Sequence, residues 1–465
     1  MDDTTKLVAN YFKCNNINVP PHRIKFLQQF IEIKENRALI DAMVENGSRL
    51  MAKWNHTERI AEIMEQSFRV PNATVGKPYE ATVNTDQWSD VSVLNVAGVE
   101  EVGLYYDPQK RQIEGIPTKS GDIKISLQFK IGGEEEEQVY EKPLVLVINP
   151  DPKTLWKRIE SDKEDPHWKE DNVTLFSPLC GRHILISSKR GRSHANIGSF
   201  REDDFRFTEL DNGWCIVVVS DGAGSAPFSR KGSALACEET VNFFKDPAGV
   251  ESMSGFDPML LEYAATRSRE TENNLNRFIY NTLGKAVFTV HKKLETFAKN
   301  NALGLKELSA TLIFCLYKKF DVGYAFLSFG VGDCPIAILD REITEVTLMN
   351  WLDVGEYGGG TRFVTMPEIF VSEKFASRFS FKLLDDFSYL FLMSDGIYDP
   401  KFVVESALPN IEKWREFLAD LSGNNPEGTK VELSAGNSNI EQQFSEWMDF
   451  WSPGNHDDRT LAIVF

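Results

Sequence analysis

The chain has 465 residues, of which 42% are hydrophobic and 26% charged, and its net charge is −18. This length predicts more than one domain, because single hydrophobic cores rarely grow so large. The apolar content argues against long disorder. The acidic excess disfavours nucleic acid as a partner and suits metal cations or basic partners. No stretch is apolar enough to span a membrane, and residues 1–6 lack the features of a secretion signal, so we expect a cytoplasmic chain.

The cysteines favour a reduced chain. They form no CxxC pair, and several lie inside apolar runs. Such residues usually serve as small core side chains, so we expect all of them to be free thiols. They are Cys14, Cys180, Cys215, Cys237, Cys315 and Cys334.

The first 66 residues form a predicted helical domain. Apolar side chains recur at helical spacing, and the pair Pro20-Pro21 separates neighbouring helices. We interpret these side chains as the apolar faces of short helices. They are Phe26, Phe30, Ile33, Leu39, Ala42 and Met43.

Residues 67–150 change to the period-two alternation of β-strands. Within 104–122, an apolar strand meets the turn Asp107-Pro108, then Gly115-Ile116-Pro117-Thr118, then a turn at Gly121. This order resembles a signature of bacterial immunoglobulin-like, cadherin-like modules, which implies a small β-sandwich. The run 132–137 reads as a charged hairpin tip.

A third domain, 151–465, opens with a predicted helix over 154–172 and then alternates strands with helices. The further predicted helices are 233–244, 262–299, 413–421 and 440–451. The predicted strands include 312–317, 324–329 and 336–339.

Acidic residues follow buried strands at three places in this domain. The apolar run 216–219 ends on Ser220-Asp221-Gly222, the run 389–393 ends on Ser394-Asp395-Gly396, and Asp457-Asp458 precedes the apolar tail 461–465. Carboxylate oxygens suit Mg²⁺ and Mn²⁺, whereas Zn²⁺ sites usually recruit His or Cys. The pattern therefore predicts a cluster that binds hard metal ions. Two such ions can hold and activate a water for attack on phosphorus.

The order of short motifs then points to a family. Gly191-Arg192-Ser193-His194 is followed by the 201–205 run Arg-Glu-Asp-Asp-Phe, by 219–224 and by Lys231-Gly232-Ser233-Ala234. Further on come 307–312, Gly330-Val331-Gly332-Asp333-Cys334, 394–399 and 457–461. This succession resembles the metal-dependent protein phosphatases of type 2C, over residues 180 to 465.

The resemblance implies an α+β fold, an αββα sandwich of two antiparallel sheets flanked by helices. It implies a centre of two Mn²⁺ or Mg²⁺ ions, with Asp221 bridging both. Glu307 is either a ligand of a weaker third ion or a surface carboxylate, and Asp333 braces its turn. The Gly222 carbonyl is a further implied ligand. Asp395 and Asp457 would complete one ion and Glu202 would hold the other, with Asp203 lying behind Glu202.

Two departures from the family concern the proton donor and the phosphate clamp. Ala223 stands where eukaryotic members often carry a histidine, and Gly198 stands where many carry an arginine. His194 is our candidate for the proton donor, with a purely structural role left open. Arg192 and Arg201 are candidates for phosphate binding, although for Arg201 we favour a plain surface position.

The resemblance implies a serine/threonine protein phosphatase that acts through a water bridged between two metal ions, with no phospho-enzyme. Its substrate would be a phosphoprotein, with a cognate kinase or its target as a candidate partner, and the N-terminal domains could bind a further protein. The alternative is a pseudophosphatase that binds or scaffolds through those domains. The glycine-rich stretch 355–360 is either a mobile flap or an ordinary loop.

Overall fold

The computed structural model describes residues 1–132, 138–353 and 360–465. The chain separates into two compact units, Met1–Pro152 and Lys153–Phe465. The predicted hairpin tip at 132–137 and the predicted flap at 355–360 fall almost entirely outside the described residues, so both stay predictions. The division of the chain into domains ending at residues 66 and 150 also stays a prediction.

The N-terminal unit begins with three helices, α1 (Asp3–Cys14), α2 (Ile24–Glu32) and α3 (Lys34–Glu65). Helical structure here was predicted, but the apolar face was assigned wrongly. Leu27 and Ile31 are the buried side chains of α2, whereas Phe26 is 67% exposed and Leu39 is 72% exposed. The spacing was helical for both sets, so periodicity alone did not tell which set faces the small core.

The rest of this unit is a two-sheet sandwich. Its strands are β1 (Ala73–Thr74), β2 (Tyr79–Thr82), β3 (Val91–Ala97), β4 (Leu104–Asp107), β5 (Gln112–Gly115), β6 (Gly121–Ile131) and β7 (Tyr140–Asn149). The sheets have the orders β1-β7-β6-β3 and β2-β5-β4, and one apolar core joins them. At Gly115 a φ of +135° and a would-be Cβ only 2.6 Å from the Gly103 carbonyl oxygen require glycine. The immunoglobulin-like assignment stays a prediction.

The C-terminal unit is built on two antiparallel sheets. Its strands are β8 (Asn172–Leu179), β9 (Arg182–Lys189), β10 (Asp204–Glu209), β11 (Cys215–Ser220), β12 (Leu312–Phe320), β13 (Gly323–Val331), β14 (Ile336–Asp340), β15 (Val346–Leu348), β16 (Phe379–Leu384), β17 (Phe387–Met393) and β18 (Arg459–Val464). One sheet has the order β10-β11-β12-β13-β16, and the other has the order β15-β14-β17-β18-β9-β8.

Helices cover the outer face of each sheet. They are α4 (Arg192–Ile197), α5 (Ser229–Lys245), α6 (Pro247–Met253), α7 (Phe256–Thr266), α8 (Arg269–Asn300), α9 (Glu368–Val371), α10 (Asp395–Phe402), α11 (Ile411–Leu421) and α12 (Ile440–Trp447). Among the described residues, none of the helices combines the length and apolar character required to cross a membrane.

Strand β11 is apolar without interruption because both of its faces are buried. Val217 and Val219 face the core between the two sheets, while Ile216 and Val218 face the core under α5 and α8. A third core lies between the six-stranded sheet and the helices α10, α11 and α12. A strand covered on both faces needs apolar side chains at every position. The predicted αββα sandwich is confirmed.

Two helix predictions were wrong in this unit. Residues 154–172 contain only a short 3₁₀ turn, Pro152–Leu155, followed by irregular chain. Asp162 and Asp165 accept hydrogen bonds from backbone N–H groups two residues ahead, which favours turns over helix. The predicted helix 262–299 is interrupted at Arg267, whose φ is +49°, before Ser268 caps α8.

The prediction that all cysteines are free thiols was wrong for one pair. Cys180, at the turn between β8 and β9, is bonded to Cys215 at the start of β11, with Cα atoms 6.1 Å apart. The local apolar pattern of the sequence could not reveal this pairing, because the turn that brings Cys180 beside β11 depends on the tertiary fold. Cys14, Cys237, Cys315 and Cys334 are free.

The compactness of the second unit predicts that it folds alone. A truncated chain of residues 153–465 should give a single cooperative unfolding transition and keep metal-dependent hydrolysis of a small aryl phosphate. Circular dichroism during heating, with an activity assay at 25 °C, checks this. An insoluble product, or a folded product without activity when the full chain is active, would contradict it.

Candidate metal centre

The first acidic turn follows β11, whose side chains are all buried. Asp221 donates its backbone N–H to the Thr311 hydroxyl at 2.9 Å and accepts the Thr311 N–H on its carbonyl at 2.8 Å. These two bonds fix the direction in which the Asp221 carboxylate leaves the strand. A Cβ on Gly222 would lie 2.7 Å from the Glu202 carbonyl oxygen. Glycine therefore lets the first turn pack directly against the acidic loop around Glu202.

The second and third acidic turns lie side by side on neighbouring strands. Ser394, between β17 and Asp395, donates its N–H to the Thr460 carbonyl at 2.9 Å, and its hydroxyl accepts the Thr460 N–H at 3.0 Å. A Cβ on Gly396 would lie 1.9 Å from the Asp458 carbonyl oxygen. The Ser-Asp-Gly sequence thus allows Asp395 and the pair Asp457-Asp458 to meet at the same end of two central strands of the six-stranded sheet.

The acidic loop before β10 is held from behind by Lys169. Its ammonium donates to the Asp203 carbonyl at 2.6 Å and to the Asp204 carboxylate at 3.2 Å. The hydroxyl of Ser233 donates to the Glu202 carbonyl, and the Asp203 carboxylate accepts the Thr460 hydroxyl at 2.7 Å. The loop is therefore anchored through its backbone, which leaves the Glu202 side chain directed toward the Asp221 turn.

Asp458, which the sequence reasoning did not select, connects these loops. Its buried carboxylate accepts the N–H of Gly191 at 2.6 Å, the N–H of Glu202, and the N–H of Asp203 at 3.3 Å. The Nδ1 atom of His194 lies 3.1 Å from its Oδ1. The doublet Asp457-Asp458 before the apolar tail was the available signal in the sequence.

Burial, reinforced by repulsion from neighbouring carboxylates, disfavours ionisation in the interior of the cluster. Burial, followed by the charges of Asp395 and Asp203, raises the pKa of Asp221 well above its usual range. Burial and the charge of Asp457 do the same to the pKa of Asp395. Burial raises the pKa of Glu202 to about 7. These carboxylates cannot all be ionised in the absence of a compensating cation.

Asp458 behaves in the opposite way. Burial alone would raise the pKa of its carboxyl, but His194 and the N–H donors outweigh burial and lower it. Burial tends to lower the pKa of His194, and the charges of Asp458, Glu202 and Asp457 raise it to about 10. The acidic groups around His194 therefore favour its protonated form.

Unpartnered oxygen atoms mark where a cation would fit. Oε2 of Glu202 and Oδ1 of Asp395 are buried and have no hydrogen-bond partner among the described residues. A buried acceptor without a donor is costly, and oxygen ligands of this type suit Mn²⁺ or Mg²⁺. The donor set fits the metal centre predicted from the sequence.

Only some of the predicted site residues have ligand atoms close to one another among the described residues. Among the described residues, the acidic group whose ligand atoms lie within 4.8 Å of one another is His194, Asp457 and Asp458. Asp457 is turned toward His194, with its Oδ1 3.7 Å from Nε2. Asp221 and Asp395 interact through their charges, but among the described residues neither they nor Glu202 belong to such a group.

Glu307 and Asp333 lie in different surroundings. Glu307 accepts the N–H of Gly304 at 3.3 Å and so caps a 3₁₀ turn, and its assignment to a third ion stays a prediction. Asp333 accepts the Thr361 hydroxyl at 2.7 Å, as a turn-bracing residue would. Its charge also raises the pKa of Asp221 and Asp395, so it lies closer to the cluster than the sequence indicated.

The placement of Arg201 as a surface residue was wrong. It is 3% exposed, and its guanidinium donates to the Glu170 carbonyl at 2.9 Å and to the Asp203 carbonyl at 2.8 Å. With these donors used, Arg201 supports the acidic loop and is badly placed to bind phosphate. Arg192 is half-buried and donates to the carbonyls of Phe450 and Asp449.

Gly198 ends α4 with a φ of +73°, and a Cβ there would lie 3.0 Å from Cγ2 of Ile159. The segment that precedes β8 therefore covers the position where many members of the resembled family carry an arginine. The left-handed backbone and this contact favour glycine at residue 198, and the contact places Ile159 beside α4.

Comparison with known proteins identifies the family of the C-terminal part of the chain. The sequence profile of the family described as Protein phosphatase 2C matches residues 190–438, which is more than half of the chain. No curated protein matches the sequence.

Solved structures that match part of this chain include serine/threonine phosphatases. Stp1 of Staphylococcus aureus is 14% identical, with 64% of this chain and 98% of that chain covered and a TM-score of 0.35. A serine/threonine phosphatase of S. agalactiae is 15% identical over 61% and 99%, with a TM-score of 0.34. The catalytic domain of PstP, solved with two manganese ions, is 14% identical over 63% and 98%, with a TM-score of 0.36. On the profile match, this chain belongs to the protein phosphatase 2C family of metal-dependent phosphatases.

Proposed function

We propose that this chain is a serine/threonine protein phosphatase that works with two Mn²⁺ or Mg²⁺ ions. Asp221, the Gly222 carbonyl, Glu202, Asp395 and Asp457 would hold the ions, with Asp203 behind them. The observation that carries the proposal is the buried set of mutually repelling carboxylates with unpartnered oxygens at Glu202 and Asp395. When bound, such ions supply an activated water for attack on phosphorus.

The chain's own residues contribute positioning. The Thr311 bonds hold Asp221 at the end of β11, and the Ser394–Thr460 bonds hold Asp395 beside the third acidic turn. Lys169 holds the acidic loop from the side opposite to the cluster. Asp457, whose side chain is 50% exposed, is the least fixed of the proposed ligands. The site is therefore rigid except at its exposed rim.

Asp221→Asn tests the metal centre. Activity on phosphoserine and phosphothreonine peptides should require Mn²⁺ or Mg²⁺, disappear with EDTA and return when the metal is restored. Asp221→Asn should lower kcat at least about 10²-fold, because a neutral amide bridges two cations poorly. Its metal-free unfolding temperature should be unchanged or higher, since the substitution removes one repelling charge.

Asp321→Asn, at an exposed position outside the cluster, is the matched control and should keep full activity. Wild-type activity in Asp221→Asn would end the binuclear proposal. If the wild-type chain, loaded with either metal, hydrolyses none of the peptides, the scaffold alternative replaces the enzyme.

His194 is proposed to donate the proton that the leaving serine oxygen needs, in place of the residue missing at Ala223. Its side chain is 13% exposed and lies between Asp457 and Asp458. As an acid, it should matter for phosphoserine and not for aryl phosphates, whose leaving group needs little protonation. His194→Ala should then slow phosphoserine hydrolysis by about 10²–10⁴-fold and spare the aryl ester.

His194→Gln separates chemistry from positioning, because its amide can still donate to Asp458 but supplies no acidic proton. If His194→Gln restores the activity that His194→Ala loses, the histidine positions Asp458 and is not the acid. A rise in KM for both substrate types would instead identify a phosphate contact. Full activity of His194→Ala on both substrates would remove any role in the reaction.

A further inference from the structure

A basic cavity lies beside α4 in the C-terminal unit. Its volume is about 170 Å³, and segment 153–158, β9 and the first turn of α4 contribute to its walls. Six of the lining residues are cationic, which is unusual in a chain whose net charge is −18. They are Lys153, Lys157, Arg158, Lys189, Arg190 and Arg192.

Acidic groups neutralise only part of this charge. Lys189 pairs with Asp449 at 2.5 Å, and Arg190 pairs with Asp171 at 3.0 Å. Both aspartates line the cavity. Lys153 pairs with Glu427 at 3.3 Å.

The other three cations have no acidic partner among the described residues. Arg192 donates only to backbone carbonyls, and Lys157 and Arg158 are exposed. Unneutralised positive charge around a concavity attracts an anionic group, and guanidinium groups match carboxylate and phosphate oxygens in shape.

The cavity adjoins the candidate metal centre. Ala195 lines the cavity, and its neighbour His194 contacts Asp458. The ring of Trp156, also in the lining, packs against His456 with centroids 4.3 Å apart. His456 precedes Asp457, a proposed metal ligand, so one short helix and one aromatic contact separate the two sites.

Segment 153–158 lines this cavity and also runs beside α4, which ends at Gly198, the position where many members of the family carry an arginine. Gly198 offers no side chain, and Ile159 packs over it. The backbone N–H of Lys157 donates to the Asn196 side chain at 3.0 Å, which fixes the segment along α4. The chain that places Ile159 over Gly198 thus also places the cations of the preceding residues, Lys157 and Arg158, beside α4.

We propose that this basic cavity binds a second anionic group of the substrate, a phosphate or a carboxylate a few residues from the phosphoserine or phosphothreonine being hydrolysed. The proposal rests on the proposed function and narrows its substrate class to acidic or multiply phosphorylated segments. The strongly negative chain otherwise repels such segments, so local positive charge is needed to admit them.

The test compares three phosphoserine peptides on the full-length, metal-loaded protein. One has neutral flanks, one carries glutamates at positions −4 to +4, and one carries a second phosphoserine. The wild-type protein should show higher kcat/KM on at least one anionic peptide than on the neutral peptide. The more favoured anionic peptide tells whether carboxylate or phosphate is the natural group.

The double variant Lys157→Ala/Arg158→Ala removes two exposed cations that make no ion pair among the described residues, so it should keep the wild-type unfolding temperature. It should lose about 3–10-fold in kcat/KM on the favoured anionic peptide and nothing on the neutral one. Raising the salt concentration should reduce the wild-type preference in the same way. Lys285→Ala/Lys382→Ala, two exposed lysines on α8 and β16, is the matched control and should behave as wild type.

Equilibrium binding of the same peptides in EDTA is measured by fluorescence anisotropy. This measurement distinguishes failure of the basic-cavity proposal from failure of the proposed phosphatase function. Hydrolysis without any preference, or equal losses on all peptides in the double variant, would overturn the basic-cavity proposal and leave the phosphatase intact. Selective binding that the double variant loses, without hydrolysis of any peptide, would support the cavity and refute the proposed function.

Discussion

The buried carboxylate of Asp458 is the contact on which the geometry of the site depends. It accepts backbone N–H groups from the turn before α4 and from the acidic loop, and it faces His194. It stands at the entrance of β18, the strand that lies between β17 and β9. Removing one acceptor here would leave several buried donors without partners, each costing about 1–3 kcal/mol.

Residues that precede the family match carry much of the support. Lys169 lies before residue 190, where the profile match begins, and it contacts the carbonyls of Glu202 and Asp203. Burial lowers the pKa of Lys169 to about 8. Five acceptors lie within hydrogen-bond distance of its ammonium, and they compensate for that burial only if the irregular segment 156–171 stays in place. The segment is thus part of the phosphatase fold in this chain, although it has neither helix nor strand.

The strand-end acidic turns were predicted from local sequence patterns, whereas the sandwich was predicted from the resemblance to the type 2C phosphatases. A continuous apolar run such as 216–219 identifies a strand covered on both faces, and the glycine after Asp221 or Asp395 marks a close approach. The burial of Arg201, the pairing of Cys180 with Cys215 and the role of Asp458 depend on contacts between distant parts of the chain. Helix periodicity also failed to choose between Leu27 and Phe26 as the buried residue of α2, since both sets repeat at the same spacing.

The pKa values divide the carboxylates of the site into two groups. Asp458 has His194 and Asp204 has Lys169, and these partners outweigh burial and lower the pKa of both carboxyls. Asp203 has only hydroxyl donors, and burial raises its pKa to about 7. Asp221 and Asp395 face one another with raised pKa values. Asp458 and Asp204 are thus each paired with a cationic side chain, whereas no cationic side chain lowers the pKa of Asp203, Asp221 or Asp395 among the described residues. This unequal distribution is what a protein needs if part of its charge balance is to come from bound cations.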